Sequence, residues 1–149
     1  ERVLRMLSTT ADMAYVTLSA DIREDASILI LEDDLYQIIF NLAENGIKGN
    51  VPDGTLTIRL TLKGDNAVLS IIDTGMGIPK ESLGKIFDRF YRVDKARSRQ
   101  TGGSGLGLAI VKEMVERNRG SITAESSDTD PTGTTFTLVF PVFDVEGDE

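Results

Sequence analysis

The sequence predicts one α/β domain in which a mixed, mostly antiparallel sheet is covered by helices on one face. Three observations carry this. TLTIRLTLK, residues 55–63, alternates apolar and polar side chains, and Gly64-Asp65-Asn66 turns it into the apolar run AVLSII, residues 67–72; alternation on both sides of a short turn marks a hairpin. Segments 33–48 and 106–117 repeat apolar residues at helical spacing. GSITAES (120–126) and GTTFTLVF (133–140) read as closing strands. A sheet with one apolar face needs cover, and helices with an apolar stripe supply it.

The remaining elements follow in chain order. Residues 1–14 set Val3, Leu4, Leu7, Ala11 and Ala14 at loose helical spacing, and YVTLSAD (15–21) and SILILED (27–33) are expected to be strands. Asp33-Asp34 opens the next helix, where acids suit the positive end of the dipole, and Leu35, Ile38, Ile39 and Leu42 form its stripe. GNVPDG (49–54) is a loop. A helical patch is expected over 81–90; the rest of 74–104 is irregular, glycine-rich and basic. About thirty such residues are too many for a neutral connection, so this stretch is expected to carry function. DVEGDE is a solvated acidic tail. With no repeat and no interdomain linker, residues 1–149 form a single domain.

Composition narrows the function. A chain of 149 residues can bury a real core. Its net charge of −8 argues against general attraction to nucleic acid or anionic membranes, although Arg89, Arg92, Lys95, Arg97 and Arg99 cluster locally. No apolar run nears the roughly 18 residues needed to cross a bilayer, so direct membrane contact by this domain is not expected. The absence of cysteine excludes disulfides and thiolate metal sites and fits a cytoplasmic setting. There is also no histidine. The chain begins ERVLRML, without an initiator Met, and is expected to be a piece of a longer protein.

Three stretches suit a nucleotide. Asn41, Asn45 and Lys48, at i, i+4 and i+7 of one helix, fall within a roughly 60° arc beside its apolar stripe. Carboxamide oxygens are hard ligands adequate for Mg²⁺, and an ammonium suits phosphate; the alternative is a polar helix edge bonded to backbone. TGGSGLGL, residues 101–108, leads straight into a helix, whose unpaired N–H groups and positive end favour anions. It is neither the dinucleotide fingerprint nor a Walker loop. DTGMGIP, residues 73–79, follows a buried strand. A carboxylate there is costly to desolvate unless something meets it. Asp73 can accept from the exocyclic amine of adenine, where guanine would present a carbonyl; the alternative is a plain turn-former before glycine.

Taken in order, DLYQIIFNLAENGIK, DTGMGIP, IFDRFYRVD and TGGSGLGLAIVKEMV resemble the N, G1, F and G2 boxes of the catalytic ATP-binding domain of sensor histidine kinases. The resemblance spans roughly residues 12–142. It implies a Bergerat-type α/β sandwich binding Mg·ATP beneath a mobile lid over about 88–104. By correspondence, Asn45 would bind Mg²⁺ with Asn41 helping, and Lys48 would reach the phosphates. Asp73 would take the adenine amine, with Gly75, Gly77 and Ile78 shaping the base pocket. Arg92 would approach the terminal phosphate; Gly103, Gly105, Leu106 and Gly107 would supply the lid hinge and phosphate-facing amides. Phe87 and Phe90 would anchor the lid or simply pack in the core.

The implied reaction is transfer of the γ-phosphoryl group of ATP to a histidine. With none in this chain, the acceptor is expected on a separate helical dimerisation and phosphoacceptor domain of the parent protein, with a response regulator downstream. The main rival is an ATPase of the same superfamily, such as gyrase, MutL or the related chaperone, which typically carries a glutamate base where Asn41 stands. An amide cannot take that proton, and Glu44 lies about 60° round the helix. A serine kinase of anti-sigma antagonists and a non-catalytic nucleotide-sensing module are further alternatives. Two departures from the family pattern stand out. Gly49 follows Lys48 where many relatives carry an aromatic residue for the adenine. Asn118-Arg119-Gly120 stands where relatives often read HGG, a change expected to concern only a turn.

Overall fold

The computed structural model describes residues 2–22, 28, 30–89, 107–129 and 131–142. Its elements are α1 (Arg2–Met13), β1 (Thr17–Ile22), α2 (Glu32–Lys48), β2 (Thr55–Lys63), β3 (Asn66–Asp73), α3 (Lys80–Leu83), α4 (Gly107–Arg117), β4 (Ser121–Ser127) and β5 (Gly133–Pro141). The five strands form one sheet in the order β1-β2-β3-β5-β4. β2 and β3 pair as the expected hairpin, and β5 runs antiparallel to both β3 and β4. β1 pairs in parallel with β2, because the chain between them is a crossover containing α2, which returns the second strand in the same direction.

Alternation decides which face is covered. Leu56 and Ile58 of β2, Ala67, Leu69 and Ile71 of β3, Phe136, Leu138 and Phe140 of β5, and Ile122 of β4 are buried. Against them α1 lays Val3, Leu7 and Ala11, α2 lays Ile38, Leu42, Ala43 and Ile47, and α4 lays Val111, Met114 and Val115, all in one core cluster. Burying each large aliphatic side chain contributes roughly 1.5–3 kcal/mol. The opposite face carries Thr57, Arg59, Ser70, Thr135 and Thr137, none of them fully buried.

Two expected elements differ. The described residues of 27–33 form no strand: Ile28 makes an isolated bridge to Val142, and α2 has already begun at Glu32. A short apolar run does not distinguish strand from core-packed loop; Ile28 and Ile30 satisfy it by packing on the core. The acids Glu32, Asp33 and Asp34 occupy the first helical turn, where the dipole favours them. Among the described residues of the expected helix over 81–90, helix is confined to Lys80–Leu83. Beyond Gly84 the backbone makes tight turns, Lys85 N–H to Ser82 and Asp88 N–H to Lys85.

Candidate functional site

β3 places Asp73 on the inner face, two residues beyond buried Ile71 and directly across from Leu56 of β2 and Thr134 of β5. Thr134 in turn faces Ser126 of β4. The inner face is thus apolar along most of its length and polar in its last row. Ser126 Oγ and Thr134 Oγ1 lie 2.8 Å apart, and Ser126 Oγ donates to the Gly133 carbonyl at 2.9 Å. Neither Thr134 nor Ser126 emerges from the sequence motifs. The available signal is a polar residue at the end of an apolar alternation, as at Asp73, but only strand order brings these positions together.

α2 closes over Asp73 at Gly46. A Cβ there would stand 2.7 Å from Leu56 Cδ1 and 3.2 Å from Asp73 Oδ2, so the helix reaches the carboxylate only because the side chain is missing. Asp73 Oδ1 accepts the Gly75 N–H at 2.8 Å. Burial pushes the Asp73 carboxyl above the ordinary Asp value, and backbone N–H groups of Gly75 and Thr134 partly offset this. A half-buried carboxylate whose ionised form is disfavoured gains from any donor brought to it.

The loop after Asp73 is held on both sides. On the α2 side, the Gly49 carbonyl accepts the Met76 N–H at 3.3 Å, and a Cβ on Gly75 would stand 2.6 Å from that carbonyl oxygen. Thr74 Oγ1 donates to Asn50 Oδ1 at 3.1 Å and accepts the Thr55 N–H at 2.8 Å. On the β4 side, the Ile78 N–H donates to Ser126 Oγ at 2.7 Å. Gly77 sits at φ 80°, and a Cβ there would come within 1.9 Å of the Ser127 carbonyl oxygen. Any other residue would meet both strain and collision. Ile78 packs partly buried against the core.

On α2, Asn41 is half-buried, while Asn45 and Lys48 are exposed. Lys48 Nζ lies 3.4 Å from Glu44 Oε1. Such an exposed i,i+4 pair contributes about 0.3–0.5 kcal/mol, so a phosphate can displace it readily. Asn41 and Asn45 lie one turn apart on α2, and Asn45 immediately precedes Gly46, the residue that faces Asp73. Two oxygen-bearing amides at this helix edge fit a hard cation completed by phosphate oxygens and water. Gly107 is the first described residue of α4 and is exposed. Arg92, Gly103, Gly105, Leu106 and Phe90, with nearly all of the expected lid, lie outside the described residues. Phe87 is half-buried edge-on to Phe136, with Lys112 Nζ 5.6 Å from its ring centre, and Arg89 pairs with Glu113. Both contacts tie this stretch to α4.

Asn118 does more than complete a turn. Asp34, 7% exposed, receives Arg117 Nη2 on Oδ1 at 2.6 Å, and Arg117 Nε and Asn118 Nδ2 on Oδ2 at 3.0 and 2.9 Å. Asn118 Nδ2 also donates to the Met114 carbonyl at 2.7 Å. Hydrogen bonds from Arg117 and then Asn118 hold the Asp34 carboxyl below the ordinary range. Arg119 does concern the turn: its φ is 66°, a conformation that favours glycine.

Comparison with known proteins agrees with this geometry. Residues 30–144 match the family of histidine kinase-, DNA gyrase B- and HSP90-like ATPases. The sensor histidine kinase WalK of Bacillus subtilis is 37% identical over 148 residues, covering 93% of this chain and 24% of the relative. The sensor-like histidine kinase SenX3 of Mycolicibacterium smegmatis is 41% identical over 134 residues, covering 89% and 34%. The chain therefore spans about a quarter to a third of these relatives. Among solved structures, the mycobacterial sensor histidine kinase MprB superposes with a TM-score of 0.81 at 29% identity, covering 95% of this chain and 94% of that one. Full-length ShkA in complex with AMPPNP gives 0.80 at 25% identity, covering 95% and 28%. With the sandwich, the polar row at Asp73 and the amides of α2 in place, the chain belongs to the histidine kinase-, DNA gyrase B- and HSP90-like ATPase family, on the branch occupied by the catalytic ATP-binding domains of sensor histidine kinases.

Proposed function

We propose that this domain binds Mg·ATP and passes its γ-phosphoryl group to a histidine on a separate helical domain of the parent protein. The observation that carries the reading is the half-buried Asp73 carboxylate at the polar end of the inner face. Its Oδ1 is engaged by Gly75 and its Oδ2 faces Gly46, immediately beside Asn45. Asp73 accepts the adenine amine, Gly75, Gly77 and Ile78 shape the base pocket, and Thr134 and Ser126 hold its floor. Asn45 and Asn41 would hold Mg²⁺, which when bound neutralises phosphate charge and keeps the phosphates in line. Lys48 leaves Glu44 for the phosphate chain, Arg92 meets the terminal phosphate, and backbone N–H groups over Gly103–Gly107 complete the anion site. During transfer the bond from the γ-phosphorus to the ADP oxygen breaks as one to the imidazole nitrogen forms.

Catalysis of this kind is mainly positioning and charge neutralisation, which these residues supply without a general base. Asn41 stands where the ATPases of this superfamily typically carry a glutamate base, and an amide cannot take a proton from water, which favours the kinase over the ATPase reading. We place the domain in the cytoplasm, where ATP is available; among the described residues no helix is long and apolar enough to cross a membrane. A response regulator would then take the phosphoryl group. Mixed with a matching helical domain and labelled ATP, this domain should put acid-labile phosphate on the partner's histidine and none on itself. Asn45→Ala should abolish the transfer. Brisk ATP hydrolysis by the domain alone, stopped by Glu44→Ala, would replace the kinase reading with the ATPase one.

A further inference from the structure

α2 and α4 pack against each other and carry different halves of the phosphate site proposed above, Asn41, Asn45 and Lys48 on one and Gly107 at the start of the other. Outside the core, the Asp34 network joins them. Asp34 sits in the first turn of α2 and Arg117 in the last turn of α4, so each charge also lies at the helix end whose dipole favours it. The geometry is fully used. Both Asp34 oxygens accept, Arg117 presents its fork through Nε and Nη2, and Asn118 Nδ2 spends its hydrogens on Asp34 and on the Met114 carbonyl. A forked pair fixes angle as well as distance. From this joint, Asn45 lies roughly 16 Å along α2 and Gly107 roughly 15 Å back along α4, at 1.5 Å per residue. Arms of equal length amplify equally any change of angle at the joint: a rotation of about 4° would move either far end by about 1 Å.

We propose that Asp34, Arg117 and Asn118 are positioning residues that set the spacing between α2 and α4 where the phosphates of the nucleotide are gripped. The inference rests on the nucleotide reading above and adds to it a division of labour. The base is held by Asp73 on the sheet, which α2 meets from one side at Gly46 and Gly49, so it depends on the joint less than the phosphates, held from two helices, do. Loss of the joint therefore weakens binding of the triphosphate more than binding of the nucleoside.

The test compares two ligands in the intact domain, adenosine followed by NMR titration and Mg·AMPPNP followed by calorimetry. Arg117 is largely exposed, so Arg117→Gln removes the fork without opening the core, and thermal melts establish that each variant is folded at the assay temperature. Arg117→Gln should weaken Mg·AMPPNP by about tenfold, within the range of remote coupling, with adenosine affinity within about twofold of the parent. Asn118→Ala should move the same way by less, and Arg117→Lys, which keeps charge but not the fork, should fall between parent and Gln. Equal loss of both ligands means general destabilisation and overturns the proposal, as does unchanged Mg·AMPPNP affinity. A parent domain that binds neither ligand overturns the nucleotide reading and this inference with it, and is distinguished by failing before any substitution is made.

Discussion

Replacing Asp73 by Asn tests the base site at the level of single atoms. In the parent, Oδ1 accepts the Gly75 N–H at 2.8 Å, and Oδ2 points toward α2 at Gly46. Asn has the same size. Its carbonyl can keep the Gly75 bond and hold the loop, which leaves the NH₂ group where Oδ2 stood. There an acceptor for the adenine amine becomes a donor facing a donor. A hydrogen bond to a charged group contributes about 1.5–3 kcal/mol, so affinity for ADP or AMPPNP should fall by about one to two decades. Stability should move the other way. Because burial raises the folded-state pKa of Asp73, the folded protein binds the proton more readily than the unfolded chain does, and the ionised group destabilises the fold at neutral pH. Asn removes that penalty, so the ligand-free variant should melt no lower than the parent and with the same cooperativity. Calorimetry for affinity and a thermal melt without nucleotide are sufficient. Unchanged ADP affinity would refute the assignment of Asp73 to the base. A large drop in melting temperature would show instead that the carboxylate is structural and that its place in the polar row serves the fold.

Arg119 holds φ at 66°, a conformation costing a non-glycine residue about 1–2 kcal/mol, so Arg119→Gly should raise stability by up to about 1 kcal/mol after the entropy of glycine is counted; a denaturant midpoint that stays put or falls would contradict this. The two perturbed carboxylates should separate on acidification. The Asp34 contribution is complete above the ordinary Asp value of 3.8 and is lost as pH falls through its lowered folded value. Asp73 takes up its proton above 3.8 and relieves its own penalty as it does so. Nucleotide affinity should therefore fall first, in the window just above the ordinary carboxylate range, with melting temperature declining at lower pH; parallel loss of both in a pH series would refute the assignment.

What the sequence determined by itself was whatever depends on near neighbours along the chain. The period-two alternation of 55–63, the turn at Gly64-Asp65 and the helical stripe from Leu35 to Leu42 are local, and each appears where its pattern lies. The ordered motifs likewise singled out Asp73 and the α2 amides as candidates, because their spacing is a property of one strand end or one helix face. Tertiary structure decided what strand order and helix crossing bring together. β5 enters the sheet between β3 and β4, and only that insertion sets Thr134 and Ser126 beside Asp73. Asp34 and Arg117 are 83 residues apart, and nothing local to either reveals that one will bury its carboxylate on the other. SILILED shows the same limit from the other side. Apolar residues there serve the core, on which Ile28 and Ile30 pack, and Ile28 meets the sheet through an isolated bridge to Val142 rather than within a strand, an outcome that depends on where the sheet lies and not on the run itself.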